Sequence, residues 1–252
     1  SRGLGDVYKR QVIAASTTDA GHSRRIGVTE RLTMSQVSTT TSSPRRRVTM
    51  TWVVWITAVI AYGFAVMQRT SLGVMGLTAA AHFNAPASVV ATFMVLQLAV
   101  YAVLQIPAGI TVDRLGSRVV ITAGSIVMTV GQVVMALTGS VGGAVLARVL
   151  VGCGDAFIFG AAIRLVPAWF PPKQTPLVTQ LTGLLGQFGQ VVSAVGLVAM
   201  VNSSGWRSTY LLAAGGAAVA AALAFLLIRD APPGVEPERT DGNVTQLPHQ
   251  VA

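Results

Sequence analysis

Six long apolar stretches dominate this chain and restrict the folds open to it. A helix needs about 20 mostly apolar residues to cross a bilayer, and every stretch meets that length. The segments between them are short and rich in Gly, Pro, Asn and Ser, which favour turns. We therefore predict an all-α membrane protein with six transmembrane helices, at Thr51–Val74, Ala87–Val112, Arg118–Thr138, Gly143–Trp169, Leu177–Val201 and Thr209–Ile228.

Charged residues are scarce and unevenly placed. They make up 11% of the chain, against about 25% in an average soluble domain. Between residues 51 and 228 the only acids are Asp113 and Asp155. The net charge of +9 lies mostly in the tails and loops, where it faces water or anionic lipid headgroups, so it does not indicate nucleic-acid binding.

The positions of the basic residues predict the orientation of the helices. Cytoplasmic loops of membrane proteins carry an excess of Lys and Arg. We therefore expect a multi-pass protein of the cytoplasmic (inner) membrane of a bacterium. Its N-terminus and residue 229 onward should be cytoplasmic, because that orientation places these residues inside: Arg45, Arg46, Arg47, Arg114, Arg118, Lys173 and Arg229.

The segments flanking the bundle at 51–228 have a different character. Residues 1–11 contain GDVYKRQ, which matches a translated sequencing adaptor, and we exclude them as an artefact. Residues 12–50 are expected to form a disordered tail, with Met34 as the start of the natural protein. Residues 229–252 are polar and Pro-rich, as expected of a cytoplasmic linker.

Three charged residues fall inside predicted helices, where an ionisable group indicates function. Asp155 lies near the middle of the fourth helix, with Arg148 seven residues before it, and Arg69 lies in the first helix. Seven residues make about two turns and a rise of about 10.5 Å, so Arg148 and Asp155 share a face and need a bridging group. Arg164 lies on the opposite face and is expected to extend to the headgroups. Gln97 is a further candidate, because buried amides seek partners or a wet cavity.

Two motifs carry a resemblance to a known family. The first is Gly109-x-x-x-Asp113-Arg114-x-Gly116-x-Arg118, between the second and third helices. The second is Arg148-x-x-x-Gly152-x-Gly154-x-Ala156, in the fourth helix. Together with the topology they resemble the major facilitator superfamily, although Ser117 replaces the first residue of the usual basic pair. The Gly-Pro antiporter motif of the fifth helix is absent, so a proton-driven drug exporter is disfavoured.

The resemblance implies a fold, a function and a set of roles. The chain would be the N-terminal six-helix half of a secondary active transporter, truncated before a second half that would be its partner. Helices one and four would line a cavity containing Arg69, Arg148, Asp155 and Gln97, with a net charge of about +1 that favours a small polar solute, either anionic or zwitterionic. Asp155 is then a candidate proton carrier, and the alternative is an ion pair that only fixes helix packing. Asp113 would help to latch the halves, and the alternative is a loop whose two Arg only set topology.

Other functions have less support in the sequence. An intramembrane serine protease needs a Ser–His pair, yet no His occurs between His82 and His249. The sequence contains no GxxxxGK[ST] loop for an ATP-driven pump, and it offers no metal or cofactor site. We therefore predict no enzymatic activity. The main alternative to a transporter is a six-helix pore or scaffold that works as an oligomer.

Overall fold

The computed structural model describes residues 44–232, with side chains from residue 48. Every regular element in this range is helical. In chain order the α-helices are α1 (Pro44–Val74), α2 (Gly76–His82), α3 (Ala87–Leu115), α4 (Ser117–Leu137), α5 (Val141–Trp169), α6 (Thr175–Val192) and α7 (Val198–Leu227), with a π-helical turn at Ser193–Leu197 between the last two. The adaptor-like segment, the tail up to residue 43 and the linker beyond residue 232 lie outside the described residues.

The prediction of six membrane crossings in an all-α fold is confirmed. Five stretches of the described chain are long and apolar enough to cross a membrane, and the last of them is the 53-residue run Thr175–Leu227. Gly205 breaks that run with a φ of 79° and a ψ of 173°. Glycine adopts this conformation without the steric cost that a side chain would add. Two crossings result, at 175–204 and 206–227.

Two boundaries differ from the sequence prediction. Helix α1 begins at Pro44, so it includes the last seven residues of the predicted tail, 12–50. Proline suits the first turn of a helix and arginine is a good helix former, but neither carries the apolar signal used to predict spans. The predicted loop NSSGWRS is helical apart from Gly205, because one glycine is enough to redirect the chain.

Buried side chains form layers along the bundle. At the end that contains the α3–α4 loop, here called the loop end, Trp55 packs edge-on to Phe170 and donates its indole N–H to Thr182 at 2.8 Å. At the opposite end Trp206 stacks on His82 with ring centroids 4.5 Å apart. Helices α3 and α4 both pack on α5, which occupies the centre of this side of the bundle.

Candidate functional site

The four predicted cavity residues lie together inside the bundle. Arg69 comes from α1, Gln97 from α3, and both Arg148 and Asp155 come from α5. Arg148, Asp155 and Gln97 are buried, and Arg69 is half-buried. A chain with so few charges in its helices therefore concentrates three of them in one place.

Asp155 pairs with Arg69. The Arg69 Nη1 lies 3.1 Å from the Asp155 Oδ2, and the exposed fractions of the two side chains are 19% and 1%. The other carboxylate oxygen of Asp155 has no hydrogen-bond partner. The guanidinium of Arg69 also lies over the Tyr101 ring, 5.5 Å from its centroid. The arginine therefore has access to solvent, while the carboxylate depends on the arginine.

Arg148 has a different environment and is completely buried. Its Nη1 lies 3.4 Å from each of three acceptors, the Gln68 carbonyl oxygen, the Ser71 Oγ and the Gln97 Oε1. Its Nε and Nη2 have no partner, and the Tyr210 ring centroid lies 5.9 Å from its Cζ. Within residues 44–232 no carboxylate pairs with it. Arg148 is therefore a buried cation with unused donors.

Gln97 connects the two arginines. Its Oε1 accepts from Arg148, and its Nε2 donates to the Arg69 carbonyl oxygen at 3.3 Å. Arg148 and Asp155 belong to one cluster, as their shared face predicts. Asp155 pairs with Arg69 of α1 and not with Arg148. Arg69 is connected to Arg148 through Gln97. Groups on other helices therefore bridge Arg148 and Asp155, which is one of the arrangements expected from their seven-residue spacing.

The glycines of the α5 motif explain how these side chains meet. A Cβ added to Gly152 would lie 2.6 Å from the Gln97 carbonyl oxygen, and one added to Gly154 would collide with the Gly124 carbonyl oxygen. Ala156 is completely buried. The motif therefore places Arg148 on a helix that α3 and α4 can approach closely, as small residues allow in membrane bundles.

The loop motif contacts the end of the last helix. Gly116 has a φ of 83°, and a Cβ there would lie 2.7 Å from the Asp230 Oδ2. The Asp230 Oδ1 accepts from the Arg118 backbone N–H at 2.9 Å. Arg118 also donates its Nε–H to the Phe225 carbonyl oxygen at 2.8 Å. The loop is thus fastened to the segment that follows α7.

The remaining residues of the loop motif, Asp113, Arg114 and Gly109, form no hydrogen bond or ion pair with Asp230. Asp113 of α3 pairs with Arg164 of α5, a contact that the sequence did not predict; Arg164 remains part-exposed, and its reach toward headgroups stays a prediction. Arg114 is exposed. Gly109 has open space where a Cβ would stand, so no contact within the described chain requires glycine there.

Five contributors to these sites are not among the residues predicted from the sequence. Tyr101 lies one helical turn beyond Gln97 and was recognisable by that spacing. Gln68 and Ser71 flank Arg69, but a carbonyl oxygen and a hydroxyl give little sequence signal. Tyr210 carries no signal that distinguishes it from a core residue. Asp230 is the first acid after the sixth crossing, and only the fold brings it to the loop.

Within residues 44–232 no group of three or more His, Cys, Asp or Glu side chains could hold a metal ion. The polar cluster consists of arginine, carboxylate, amide and aromatic groups. These groups bind anions, exchange protons and position polar solutes.

Comparison with known proteins supports one family. The family model described as Major Facilitator Superfamily matches residues 54–248. The chain is 25% identical over 175 residues to the probable L-galactonate transporter of Escherichia coli K12, covering 69% of this chain and 38% of that protein. It is 26% identical over 112 residues to the probable sulfoacetate transporter SauU of Cupriavidus necator, covering 44% and 26%. The chain thus spans well under half the length of these relatives.

A solved structure shares the fold. A bacterial homologue of the human lysosomal transporter Spinster superposes with a TM-score of 0.57 at 19% sequence identity, covering 77% of this chain and 45% of that one. The helical arrangement described above is therefore one that a transporter structure also contains.

Proposed function

Because the chain belongs to the Major Facilitator Superfamily, we propose that it forms one six-helix half of a secondary active transporter. It carries a small organic anion across the cytoplasmic membrane by alternating access, coupled to a proton, and it catalyses no chemical reaction. Transporters of this kind bind their solute near the bilayer midplane, between structural repeats. Asp155 lies at the middle of α5. Arg148 lies two turns away from it, toward the end of the bundle that is opposite the loop end.

Arg148 carries this proposal. A buried cation is costly unless it is paired and hydrogen-bonded, yet no carboxylate of the described chain pairs with Arg148, and two of its nitrogens have no partner. A guanidinium presents donors in a planar fork that matches a carboxylate or a sulfonate. Two relatives are named as probable transporters of L-galactonate and sulfoacetate, which are anions of this kind. We infer that an anionic group of the solute completes the coordination of Arg148.

Asp155 supplies the proton coupling in this proposal. Its carboxylate binds Arg69 through one oxygen, and its other oxygen is free to accept a proton. A proton placed there removes the negative charge and releases Arg69 for the solute. Arg69 is part-exposed, so it can reach a solute that enters the cavity. Proton and anion then bind together, which favours symport.

The second half of the transporter has a natural place against α3. In an apolar 18-residue segment of α3 only 17% of the residues are buried, against 50% in the corresponding segment of α1 and 56% in that of α5. Relatives more than twice as long as the matched region supply the reason to expect a second bundle. The distribution of Lys and Arg supports a loop end that faces the cytoplasm, together with the loop motif from Gly109 to Arg118.

The test is uptake of radiolabelled galactonate into proteoliposomes that contain the protein as its source gene encodes it, driven by an imposed pH gradient. Arg148→Lys keeps the charge but loses the fork, and we expect affinity to fall roughly 10- to 150-fold, as for a lost hydrogen bond to a charged group. Asp155→Asn should abolish accumulation driven by the pH gradient and leave exchange of solute intact.

The matched control is Arg207→Gln, because Arg207 is an exposed arginine at the opposite end. It should leave uptake unchanged. Unchanged uptake in both Arg148→Lys and Asp155→Asn would refute the proposal. A channel-like flux that does not saturate with galactonate would favour the alternative of a six-helix pore.

A further inference from the structure

An apolar groove outside the polar cluster lies between α3 and α4, with α5 as its floor. It has a volume of about 240 Å³, and residues that line it include Leu115, Val119, Ala123, Val127, Cys153 and Phe157. None of the residues of the Arg69–Arg148–Asp155 cluster lines it. The groove therefore does not belong to the proposed solute path.

The helix packing explains why this space exists. A single residue, Gly116, joins α3 to α4, yet both helices pack far more extensively on α5 than on each other. From Val119 to Val127 the groove follows α4 for about 12 Å, at 1.5 Å per residue. The lining residues Leu115, Val119 and Ala123 are exposed, so the groove is accessible from outside the bundle along these residues. It runs from the loop end to Val127, at the middle of α4.

An exposed arginine lies beside the mouth of the groove. Arg114 follows the lining residue Thr111 by three positions, so the two share a face of α3. No hydrogen bond or ion pair to Arg114 occurs within residues 44–232. Arg118 adjoins Val119 and uses its Nε–H on the Phe225 carbonyl oxygen. Two carboxylates at this end already have partners, Asp113 with Arg164 and Asp230 with the Arg118 backbone N–H, and neither pairs with Arg114.

We propose that this groove binds one acyl chain of an anionic phospholipid, whose headgroup pairs with Arg114. An apolar slot that begins at a cationic rim fits an amphiphile with a negative head and a hydrocarbon tail. Basic residues near the membrane surface attract anionic lipids by about 1 kcal/mol each. A polar solute does not fit the apolar lining, and a packed transmembrane helix does not require the charge at the rim.

Cys153 provides a direct readout, since it is the single cysteine of the chain and lines the groove. The experiment measures the rate at which N-ethylmaleimide alkylates the purified chain in detergent, by intact mass, with added phosphatidylcholine or phosphatidylglycerol. We expect phosphatidylglycerol to protect at about fivefold lower concentration, the factor that corresponds to one basic residue.

Charge variants distinguish the contribution of the lipid headgroup to binding from that of the acyl chain. Arg114→Gln should remove the advantage of phosphatidylglycerol while leaving the protection that both lipids share. Lys173→Gln is the matched control, because Lys173 is also exposed and follows α5 at the same end of the bundle. It should retain the advantage.

A second measurement does not depend on the thiol. Ala123→Phe fills the groove, whereas Ile126→Phe adds a ring at an exposed position that does not line it. Native mass spectrometry should show less bound phosphatidylglycerol for the first variant only.

Three results would overturn the proposal. They are equal protection by the two lipids, an advantage of phosphatidylglycerol that survives Arg114→Gln, and protection that depends on protein concentration but not on lipid. The last would mean that a second copy of the chain covers the groove.

Discussion

Removing one partner of the Arg69–Asp155 pair at a time gives the sharpest test of the polar cluster. Arg69→Gln leaves a carboxylate whose side chain is 1% exposed without its cation. Breaking a buried ion pair in this way costs about 3–5 kcal/mol of unfolding free energy. Asp155→Asn leaves an arginine that is 19% exposed and lies over Tyr101, so the expected cost is about 1–3 kcal/mol.

The double variant Arg69→Gln/Asp155→Asn should recover most of the loss. Two neutral amides avoid the buried charge, and replacing both members of a buried pair is often nearly neutral. The two substitutions should therefore couple by about 2 kcal/mol or more. Acid should stabilise Arg69→Gln, because protonation neutralises the unpaired carboxylate, and it should have no such effect on the double variant.

The assay is unfolding in mixed micelles of rising dodecyl sulfate content, followed by the fluorescence of the four tryptophans. Each single variant, the double variant and the unmodified protein are compared at neutral and at acidic pH. Equal costs for the two single variants, with a double variant equal to their sum, would show that the pair is not coupled and that Asp155 does not depend on Arg69.

Three further predictions follow from the packing and the loop. Gly154→Ala should lower the unfolding free energy by about 1–3 kcal/mol, measured by heat stability in detergent, while Gly160→Ala on the same helix, with open space around it, should cause no loss. Gly116→Ala should cost about 1–3 kcal/mol in the same assay, because a residue with a side chain must adopt a φ of 83° with a ψ of 161°. Asp113→Asn breaks a partly exposed pair with Arg164, so it should change stability by less than about 1 kcal/mol, and a large loss of uptake in the proteoliposome assay would then reflect conformational switching.

The crossings of the membrane were predictable because lipid imposes a minimum length of apolar sequence on each helix. The start of α1 was not predictable, because Pro44 and the arginines after it form helix without an apolar signal. In the run Thr175–Leu227 the sequence misleads in another way. Its polar centre predicts a loop, whereas the chain turns at Gly205 alone and remains helical on both sides.

The members of the polar cluster were predictable, but their pairing was not. Charge at membrane depth identifies Arg69, Arg148 and Asp155, because any such residue needs a reason to be there. The helical period relates Arg148 to Asp155 and says nothing about α1. Which cation reaches the carboxylate depends on the distance between α1 and α5, and that distance is set by packing.

The Asp113–Arg164 pair bears on the proposed latch between the two halves. The family resemblance assigns Asp113 a partner in a second half, yet within the described chain it already pairs with Arg164. A latch to another helix must therefore compete with this pair, and its strength is the difference between two interactions. Both side chains are partly exposed, so the pair contributes at most about 1 kcal/mol. Exchange of partners would then cost little, as the proposed latch requires.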